Sequence, residues 1–270
     1  MNILITGVAG GIGSHLAKFL VDNGHVCDGI DDFSSGRFDN IKNINFRNLF
    51  DFDISDSNNF KLIDPKYDKI IHLAAISSVP FCESNKAEAI NSNLIGTANV
   101  LEHARNYEHT HLIFGSTSAV YENNKEKILT EDLEISPDLI YPLSKKYCED
   151  LINSFSKNYN LKACVLRFFN VLGSNQNFDR TSPPLLNYIV KKLLLGENPK
   201  FHDSGKQKRD FIFIDDILKL IELPKNLVSG RNFSSVHDDI SPEKLLSLYE
   251  IDKDFYKLRR NLNNWIFRIY

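Results

Sequence analysis

Residues 2–20 read NILITGVAGGIGSHLAKFL, and they combine a strand pattern, a glycine-rich turn and a helix pattern. The apolar run ILIT predicts a buried strand, and an amphipathic helix is predicted over 14–23. Between them, Gly7, Gly10 and Gly13 have the spacing G-x-x-G-x-x-G. Glycine is needed at such a turn for positive φ and so that backbone amides can approach a pyrophosphate at a helix N-terminus. The stretch therefore predicts the first strand, turn and helix of a dinucleotide-binding fold.

Beyond this unit, strand and helix patterns alternate along the chain. This alternation predicts an α/β fold with a Rossmann-type doubly wound parallel sheet covered on both faces. From Gly173 the pattern loosens into a loop rich in Gly, Asn, Ser and Pro. We predict a cofactor-binding Rossmann domain over 1–172, to which part of 210–240 returns, and a smaller, shortened C-terminal substrate-binding domain over 173–270. The further strands are predicted over 26–31, 45–53, 68–75, 111–116 and 161–168, and the long helices over 83–105 and 141–159.

Composition narrows the class of protein. The 270 residues are 42% hydrophobic and 25% charged, which is ordinary for a globular protein, and the net charge of −3 gives no basic surface for nucleic acid. No H-E-x-x-H or C-x-x-C pattern predicts a metal, and no apolar run approaches a membrane span. Because the first strand begins at the second residue, we expect no signal peptide and a cytoplasmic protein. The four cysteines are predicted to be small buried hydrophobes: Cys27, Cys82, Cys148 and Cys164.

Acidic residues follow the second and third predicted strands. Asp31 ends the second strand 18 positions after Gly13, close to the distance expected for an acid that bonds the adenine ribose hydroxyls. A carboxylate there repels a 2′-phosphate, so the sequence predicts NAD rather than NADP. Asp53 lies where its carboxylate could accept a hydrogen bond from the adenine amino group. The alternative, that Asp53 only caps a turn at the end of the strand, stays open. The cofactor-binding residues predicted around these positions also include Gly11, Ile12, Asp32 and Ile54.

The spacing Tyr-x-x-x-Lys occurs three times, and context separates the copies. Tyr121 runs into a turn sequence, and Tyr188 lies in an apolar helical run with no hydroxyl-bearing strand end before it. Tyr141 is followed by a proline suited to a first helical turn, and a helix there places Tyr141 and Lys145 on one face. The triplet Ser116-Thr117-Ser118 ends the strand that precedes this helix. A tyrosine, a lysine and a strand-end hydroxyl are suited to moving a proton and a hydride at an alcohol carbon.

Seven segments then establish a resemblance over about the first 216 residues. The chain resembles the extended short-chain dehydrogenases/reductases of the NAD-dependent epimerase/dehydratase family, which modify nucleotide sugars. Any one of the motifs is common, but all seven in family order make a specific signal. The segments are TGVAGGIGSHL, HLAAISSVP, NSNLIGTANVLEHAR, FGSTSAVY, YPLSK, LRFFNVLG and GKQKRDFIFIDD.

The resemblance implies roles for individual residues. Tyr141 would remove the proton of the sugar 4-hydroxyl, Lys145 would tune Tyr141 and hold the nicotinamide ribose, and Thr117 would orient the hydroxyl. For Ser116 and Ser118, strand-end hydrogen bonding is as open as a substrate contact. The residues implied on the cofactor side are Leu73, Ala74, Ala75, Ser77, Asn93 and Phe168, and those on the substrate side are Ser78, Ser116, Ser118, Asn170, His202 and Arg209.

The residues after Thr117 bear on the reaction. Relatives that eliminate water have Asp-Glu there, whereas this chain has Ser118 and Ala119, which cannot protonate a leaving hydroxyl. The resemblance therefore favours an NAD-dependent 4-epimerase that transiently oxidises C4 of a UDP-hexose or UDP-N-acetylhexosamine. Another sugar-nucleotide dehydratase or reductase of the family is the alternative among enzymes. A non-catalytic dinucleotide sensor is a third possibility, which the shortened C-terminus favours. The resemblance also implies a homodimer in which helices 83–105 and 141–159 form a four-helix bundle.

Overall fold

The computed structural model describes residues 1–64, 66–126, 129–180, 182–200 and 210–222. Its strands are β1 Asn2–Thr6, β2 Val26–Asp31, β3 Asn48–Asp51, β4 Lys69–His72, β5 His111–Thr117, β6 Lys162–Phe168, β7 Asn170–Leu172 and β8 Phe211–Phe213. Its α-helices are α1 Gly11–Asp22, α2 Val79–Ser84, α3 Lys86–Ile90, α4 Gly96–Ala104, α5 Ile140–Tyr159, α6 Leu185–Leu194 and α7 Ile214–Glu222.

The first six strands form one parallel sheet in the order β3-β2-β1-β4-β5-β6. The chain runs outward from β1 to β3, returns to β4 beside β1, and continues in the other direction. This confirms the predicted Rossmann-type doubly wound sheet. Strand order reverses between β1 and β4, so the crevice for a ligand is expected at the carboxyl ends of these two strands. The short strands β7 and β8 form a separate parallel pair.

Apolar side chains form a core on each face of the large sheet. One core joins β1 to α1 and α7, and includes Leu16, Ile217 and Ile221. The core on the opposite face includes Leu101 of α4 and Ile152 of α5. A third, smaller cluster joins β7 and β8 to α6. All four cysteines are buried and free, as predicted. The division of the chain into domains at 172/173 remains a prediction.

Three predicted elements differ clearly from those observed. The strand predicted over 68–75 covers only Lys69–His72. The third strand is shorter than predicted, covering Asn48–Asp51 rather than 45–53. The helix predicted over 83–105 is divided into α2, α3 and α4. Asn85 has φ −129° and ψ 58°, which ends α2, and residues 91–95 form one turn of π-helix between α3 and α4. A π turn holds one residue more than an α turn, so it changes which side chains face the sheet.

Among the described residues, no helix has both the length and the apolar character that are required to cross a membrane.

Candidate functional site

The turn after β1 is so tightly packed that two of its positions accept only glycine. Gly7 has φ +71°, and a Cβ there would lie 2.7 Å from the backbone nitrogen of Ala74. A Cβ on Gly13 would lie 2.1 Å from the carbonyl oxygen of Gly7. The packing keeps the N-terminus of α1 at the carboxyl edge of the sheet. Backbone amides there are suited to binding an anion such as a pyrophosphate.

Asp31 lies at the end of β2, beside this turn. Its two carboxylate oxygens accept hydrogen bonds from the backbone nitrogens of Ala9, at 2.8 Å, and Phe33, at 3.0 Å. Burial raises the pKa of Asp31, and the two backbone hydrogen bonds act in the opposite direction. The carboxylate is thereby fixed at the edge of the crevice, where a ribose hydroxyl could donate to it.

The other two predicted acids make local turn contacts. Asp32 accepts from the backbone nitrogen and the hydroxyl of Ser34, at 3.0 and 2.6 Å. Asp53 accepts from the same two groups of Ser55, each at 2.8 Å. Asp53 therefore does cap a turn, which was the alternative to a cofactor contact. Both side chains also border the large cleft, so the two functions are compatible.

A cleft of about 700 Å³ runs along the carboxyl edge of the sheet. It joins the glycine turn to the ends of β2, β4 and β5 and to the start of α5, as expected at the point where strand order reverses. Most of the predicted site residues line it. They are Gly7, Gly10, Gly11, Ile12, Gly13, Asp31, Asp32, Asp53, Ile54, Leu73, Ala74, Ala75, Ser77, Ser116, Thr117, Tyr141, Lys145, Phe168 and Asn170.

Only one of the three Tyr-x-x-x-Lys pairs lies in this cleft. Tyr141 and Lys145 both line it, and they lie one turn apart on α5. Tyr121 ends a short 3-10 turn and its hydroxyl donates to the carbonyl oxygen of Thr130. Tyr188 lies in α6, and its hydroxyl accepts from the backbone nitrogen of Lys200. The structure thus separates the three copies in the way that sequence context predicted.

Tyr141 has a strongly perturbed hydroxyl. Burial raises its pKa to about 12, while a hydrogen bond with the Thr117 side chain and the positive charge of Arg180 lower it. The Thr117 hydroxyl oxygen also accepts from the backbone nitrogen of Ala119 at 3.1 Å, which fixes its position at the strand end. Without further positive charge, Tyr141 is therefore a proton donor at neutral pH, and it becomes a base only where its phenolate is stabilised.

Lys145 is a buried residue of the cleft wall. Its ammonium donates to the carbonyl oxygen of Gly115 at 2.8 Å and lies 4.4 Å from the centre of the Phe114 ring. Burial lowers the pKa of Lys145 to about 8, and the neighbouring Cys148 and Glu149 act in the opposite direction. The cation that lowers the pKa of Tyr141 in this structure is Arg180. The tuning of Tyr141 by Lys145 stays a prediction from the sequence.

Arg180 is a residue of the cleft that the sequence did not predict. It lines the cleft, and its Nη2 donates to the Ser77 hydroxyl at 3.3 Å. Burial lowers the pKa of Arg180, and the nearby Tyr141 and Cys82 act in the opposite direction. Arg180 belongs to the irregular loop after β7, where no periodicity or motif distinguishes it from a solvated charge. Only the fold brings its guanidinium to the cleft.

Asn93 does not line the cleft. It is buried in the π turn, where Oδ1 accepts from the backbone nitrogen of Ile76 at 2.8 Å. Its Nδ2 donates to the Ile76 carbonyl oxygen at 3.1 Å and to the Ser144 hydroxyl at 3.0 Å. Asn93 therefore holds the loop after β4 from behind, and that loop supplies Leu73 to Ser77 on the cleft wall.

The three serines of the predicted substrate side have different positions. Ser116 lines the cleft, but its hydroxyl donates to Glu149 at 2.5 Å, which matches the strand-end alternative. Ser118 begins the 3-10 turn after Thr117, and Ser78 precedes α2 as its N-cap. Neither Ser118 nor Ser78 is among the residues that line the cleft. A strand-end or helix-cap position can be occupied without exposing the side chain to the crevice.

The predicted diphosphate contacts are described only in part. Asn170 begins β7 and lines the cleft, and its Nδ2 donates to the carbonyl oxygen of Asp210 at 2.8 Å. This bond ties β7 to the chain just before β8. His202 and Arg209 lie outside the residues that the structure describes. Their roles remain predictions from the sequence.

Comparison with known proteins gives the same family as the motifs. Residues 3–228 match the model of the NAD dependent epimerase/dehydratase family. Protein CapI of Staphylococcus aureus is 34% identical over 232 residues, which cover 82% of this chain and 68% of that protein.

Solved structures of sugar-nucleotide epimerases share the fold. UDP-glucose 4-epimerase of Thermotoga maritima, solved with UDP-glucose, is 30% identical with a TM-score of 0.77, covering 82% of this chain and 72% of that one. UDP-glucuronic acid 4-epimerase of Bacillus cereus, solved with UDP-glucuronic acid and NAD, is 29% identical with a TM-score of 0.75. That match covers 88% of this chain and 78% of the other.

Proposed function

The chain belongs to the NAD-dependent epimerase/dehydratase family, and on that premise we propose that it is a nucleotide-sugar 4-epimerase. It would act by transient oxidation at C4 of a UDP-hexose or UDP-N-acetylhexosamine. The observation that supports this best is one cleft that joins a glycine turn and Asp31 to Thr117, Tyr141 and Lys145. The proposed dinucleotide site and proton-transfer site thus lie in one cleft, along the carboxyl edge of the sheet.

The residues present fit NAD. At Gly7 and Gly13 a Cβ atom would clash with the neighbouring backbone, so the turn stays narrow. The N-terminus of α1 lies at this turn. Asp31 would hold the adenine ribose, and its negative charge opposes the 2′-phosphate of NADP. When bound, NAD supplies the acceptor for the hydride at C4, returns that hydride, and adds positive charge to the site. We assign Leu73 to Ser77 and Phe168 to the nicotinamide side of the cleft.

The chain's own residues move the proton. Tyr141 would take the proton of the 4-hydroxyl on its phenolic oxygen, and Thr117 would orient that hydroxyl through the oxygen that already faces Tyr141. Each pKa unit corresponds to about 1.4 kcal/mol, so bringing the Tyr141 pKa from about 12 toward neutrality requires several kcal/mol of phenolate stabilisation. Lys145 and Arg180 supply two cations for this purpose within the same cleft.

Epimerisation is favoured over elimination by the residues directly after Thr117. Ser118 and Ala119 form the 3-10 turn there, and neither side chain can act as a carboxylic acid. The family that this chain resembles includes enzymes that eliminate water, and those enzymes have an Asp-Glu pair at these positions. A leaving hydroxyl on the sugar would therefore find no acid from this turn.

Arg180 favours a second candidate, a UDP-hexuronate 4-epimerase. Within the described ranges, no carboxylate forms an ion pair with Arg180, and its recorded hydrogen bond goes to Ser77. A guanidinium matches the geometry of a carboxylate in two parallel hydrogen bonds. UDP-glucuronic acid is also the ligand of the Bacillus cereus neighbour. A sugar carboxylate at C6 is thus a chemically suitable partner for Arg180.

The test is a substrate panel on purified protein whose cofactor has been identified after denaturation. We expect NAD(H) rather than NADP(H), and NMR of the products should show inversion at C4 of at least one UDP-sugar. Asp31→Ala should weaken NAD binding selectively. NADP in the extract would contradict the cofactor assignment. A 4-keto-6-deoxy product would show that the enzyme eliminates water instead of inverting C4. If no UDP-sugar shifts the melting temperature of the NAD-loaded protein, the dinucleotide-sensor alternative gains support.

Arg180→Gln separates the two substrate classes. If Arg180 binds a sugar carboxylate, the variant should lose at least about tenfold in affinity for UDP-glucuronic acid and keep its affinity for UDP-glucose. Equal losses for both sugars and for UDP alone would place Arg180 at the diphosphate instead. Unchanged affinities would remove it from the substrate site.

A further inference from the structure

Behind the cleft lies a buried charged network centred on Glu149. Glu149 follows Lys145 by one turn of α5, and its carboxylate accepts from the Ser116 hydroxyl at 2.5 Å. The same carboxylate accepts from Arg167, with distances of 3.2 Å from Nε to each oxygen and 2.7 Å from Nη2. Glu149 is 9% exposed and the Arg167 side chain 16%. A carboxylate and a guanidinium this far from water are costly unless fully paired, as they are here.

Arg167 extends the network to the segment between β5 and α5. Its Nη1 donates to the Tyr121 hydroxyl at 2.5 Å and to the Glu131 carbonyl oxygen at 3.4 Å. Tyr121 in turn donates to the Thr130 carbonyl oxygen at 3.0 Å. The network therefore fastens the end of β5, the middle of α5, β6 and the connecting segment to one another. Thr117 lies at the end of β5, and Tyr141 and Lys145 lie on α5.

The carboxylate also acts on Lys145 through its charge. Burial lowers the pKa of Lys145 to about 8, and Cys148 and Glu149 raise it. From β4, His72 also faces Lys145, and burial together with the Lys145 charge lowers the pKa of His72 to about 3. His72 is thus neutral at physiological pH. Burial raises the pKa of the Cys148 thiol, so that thiol is neutral there too. Glu149 is therefore the carboxylate whose charge opposes the desolvation of the Lys145 ammonium.

We propose that Glu149, held by Arg167, is a positioning residue for the reaction: through Ser116 it fixes the strand end that presents Thr117, and its negative charge, one turn along α5, stabilises the Lys145 ammonium. This inference rests on the proposed function, because it concerns the proton-transfer residues of that reaction. A buried ion pair can also be purely structural, and this chain offers a matched example. Asp28 accepts from Arg47 at 2.6 Å and from the Tyr67 hydroxyl at 2.6 Å. Asp28 does not line the cleft.

The experiment compares Glu149→Gln with Asp28→Asn in the full-length, NAD-loaded protein. Both should lower the urea midpoint, because each leaves an arginine without its carboxylate. Only Glu149→Gln should lower kcat, by about tenfold or more with little change in KM. Only Glu149→Gln should move the alkaline limb of the kcat profile down by about one pH unit, because Lys145 loses its proton earlier. Lys145 itself is followed by NMR titration of 13C-labelled lysine, assigned with Lys145→Met, which requires no turnover.

Three outcomes separate the possibilities. If Glu149→Gln only lowers stability and keeps the wild-type pH profile and Lys145 titration, as Asp28→Asn should, Glu149 is structural and the proposal fails. If the wild type inverts no UDP-sugar, the proposed function fails, and the Lys145 titration still tests the charge effect. If Glu149→Gln does not fold, Ser116→Ala replaces it. That variant should lower kcat without moving the pH limb, and a wild-type kcat would overturn the positioning role.

Discussion

At the residue scale, the clearest expectation concerns Tyr141. Tyr141→Phe removes the hydroxyl that would take the substrate proton, so turnover should fall at least about 100-fold. NAD binding and the urea midpoint should change little, because the ring remains in place. Product formation from the active UDP-sugar measures the effect. Tyr188→Phe is the matched control, since Tyr188 starts another Tyr-x-x-x-Lys and its hydroxyl accepts from the backbone of Lys200, away from the cleft. Equal losses in both variants would contradict the assignment.

Lys145 gives a pH-dependent prediction for stability. Its folded-state pKa of about 8 is below the unfolded value of 10.5, so between these values the unfolded chain binds more protons. Stability from this group must therefore rise with pH through that window. Relative to Lys145→Met, the wild type should gain about 1–2 kcal/mol of unfolding free energy between pH 7 and pH 9.5. Urea denaturation of both proteins at the two pH values measures it. A constant difference would mean that Lys145 is not desolvated.

The residues that line the cleft were predictable where a motif and an element boundary coincide. Tyr141 could be selected among three tyrosines because a helix start and a hydroxyl-bearing strand end accompany it. Glu149 gave a weaker signal, since its i+4 spacing from Lys145 is common on any helix. Arg180 gave none, because its position depends on how an irregular loop returns to the cleft. Charged residues whose partner is distant in sequence are the ones that sequence patterns leave out.

At the element scale, the β1–α1 turn yields a matched pair of glycine substitutions. Gly13→Ala places a methyl group 2.1 Å from the Gly7 carbonyl oxygen, which the helix can relieve only by moving away. We expect a loss of about 1–3 kcal/mol in unfolding free energy and a loss of NAD binding. Gly10→Ala should be milder, because φ is −73° and the nearest contact is 3.3 Å. Urea denaturation and calorimetric NAD binding compare the two. Equal effects would show that conformational freedom, rather than close packing, matters at Gly13.

Strands were easier to predict than the interruption of a helix. Buried parallel strands are short apolar runs, so β1, β2 and β5 lie close to their predicted ranges. The helix predicted over 83–105 has many apolar residues over 94–101, and hydrophobic periodicity does not reveal one extra residue in a turn. Within the π turn at 91–95, the Asn93 amide forms hydrogen bonds with the Ile76 backbone and the Ser144 hydroxyl. Those contacts are tertiary, so they could not be derived from the local sequence.

At the scale of the whole molecule, the predicted dimer face needs revision. Among the apolar residues of the two predicted helices that such a face would use, Val100, Leu101 and Ile152 are buried in the chain's own core. Leu94, Leu151 and Phe155 are partly buried against that core, which leaves Ile90 as the exposed member. Other apolar side chains on the same elements are exposed instead, namely Ile95 and Tyr147. A self-complementary contact through α3, the π turn and α5 is still available, with a different set of residues.

We therefore expect a homodimer formed through Ile90, Ile95 and Tyr147. Light scattering at micromolar concentration should give about twice the 30.9 kDa mass of the chain. The double variant Ile90→Glu/Ile95→Glu should be monomeric, because a two-fold axis brings each introduced charge near its copy in an apolar contact. Leu195→Glu changes a more exposed leucine just after α6 and should leave the mass unchanged. A monomeric wild type would refute the dimer, and a dimeric double variant would place the contact on another face of the molecule.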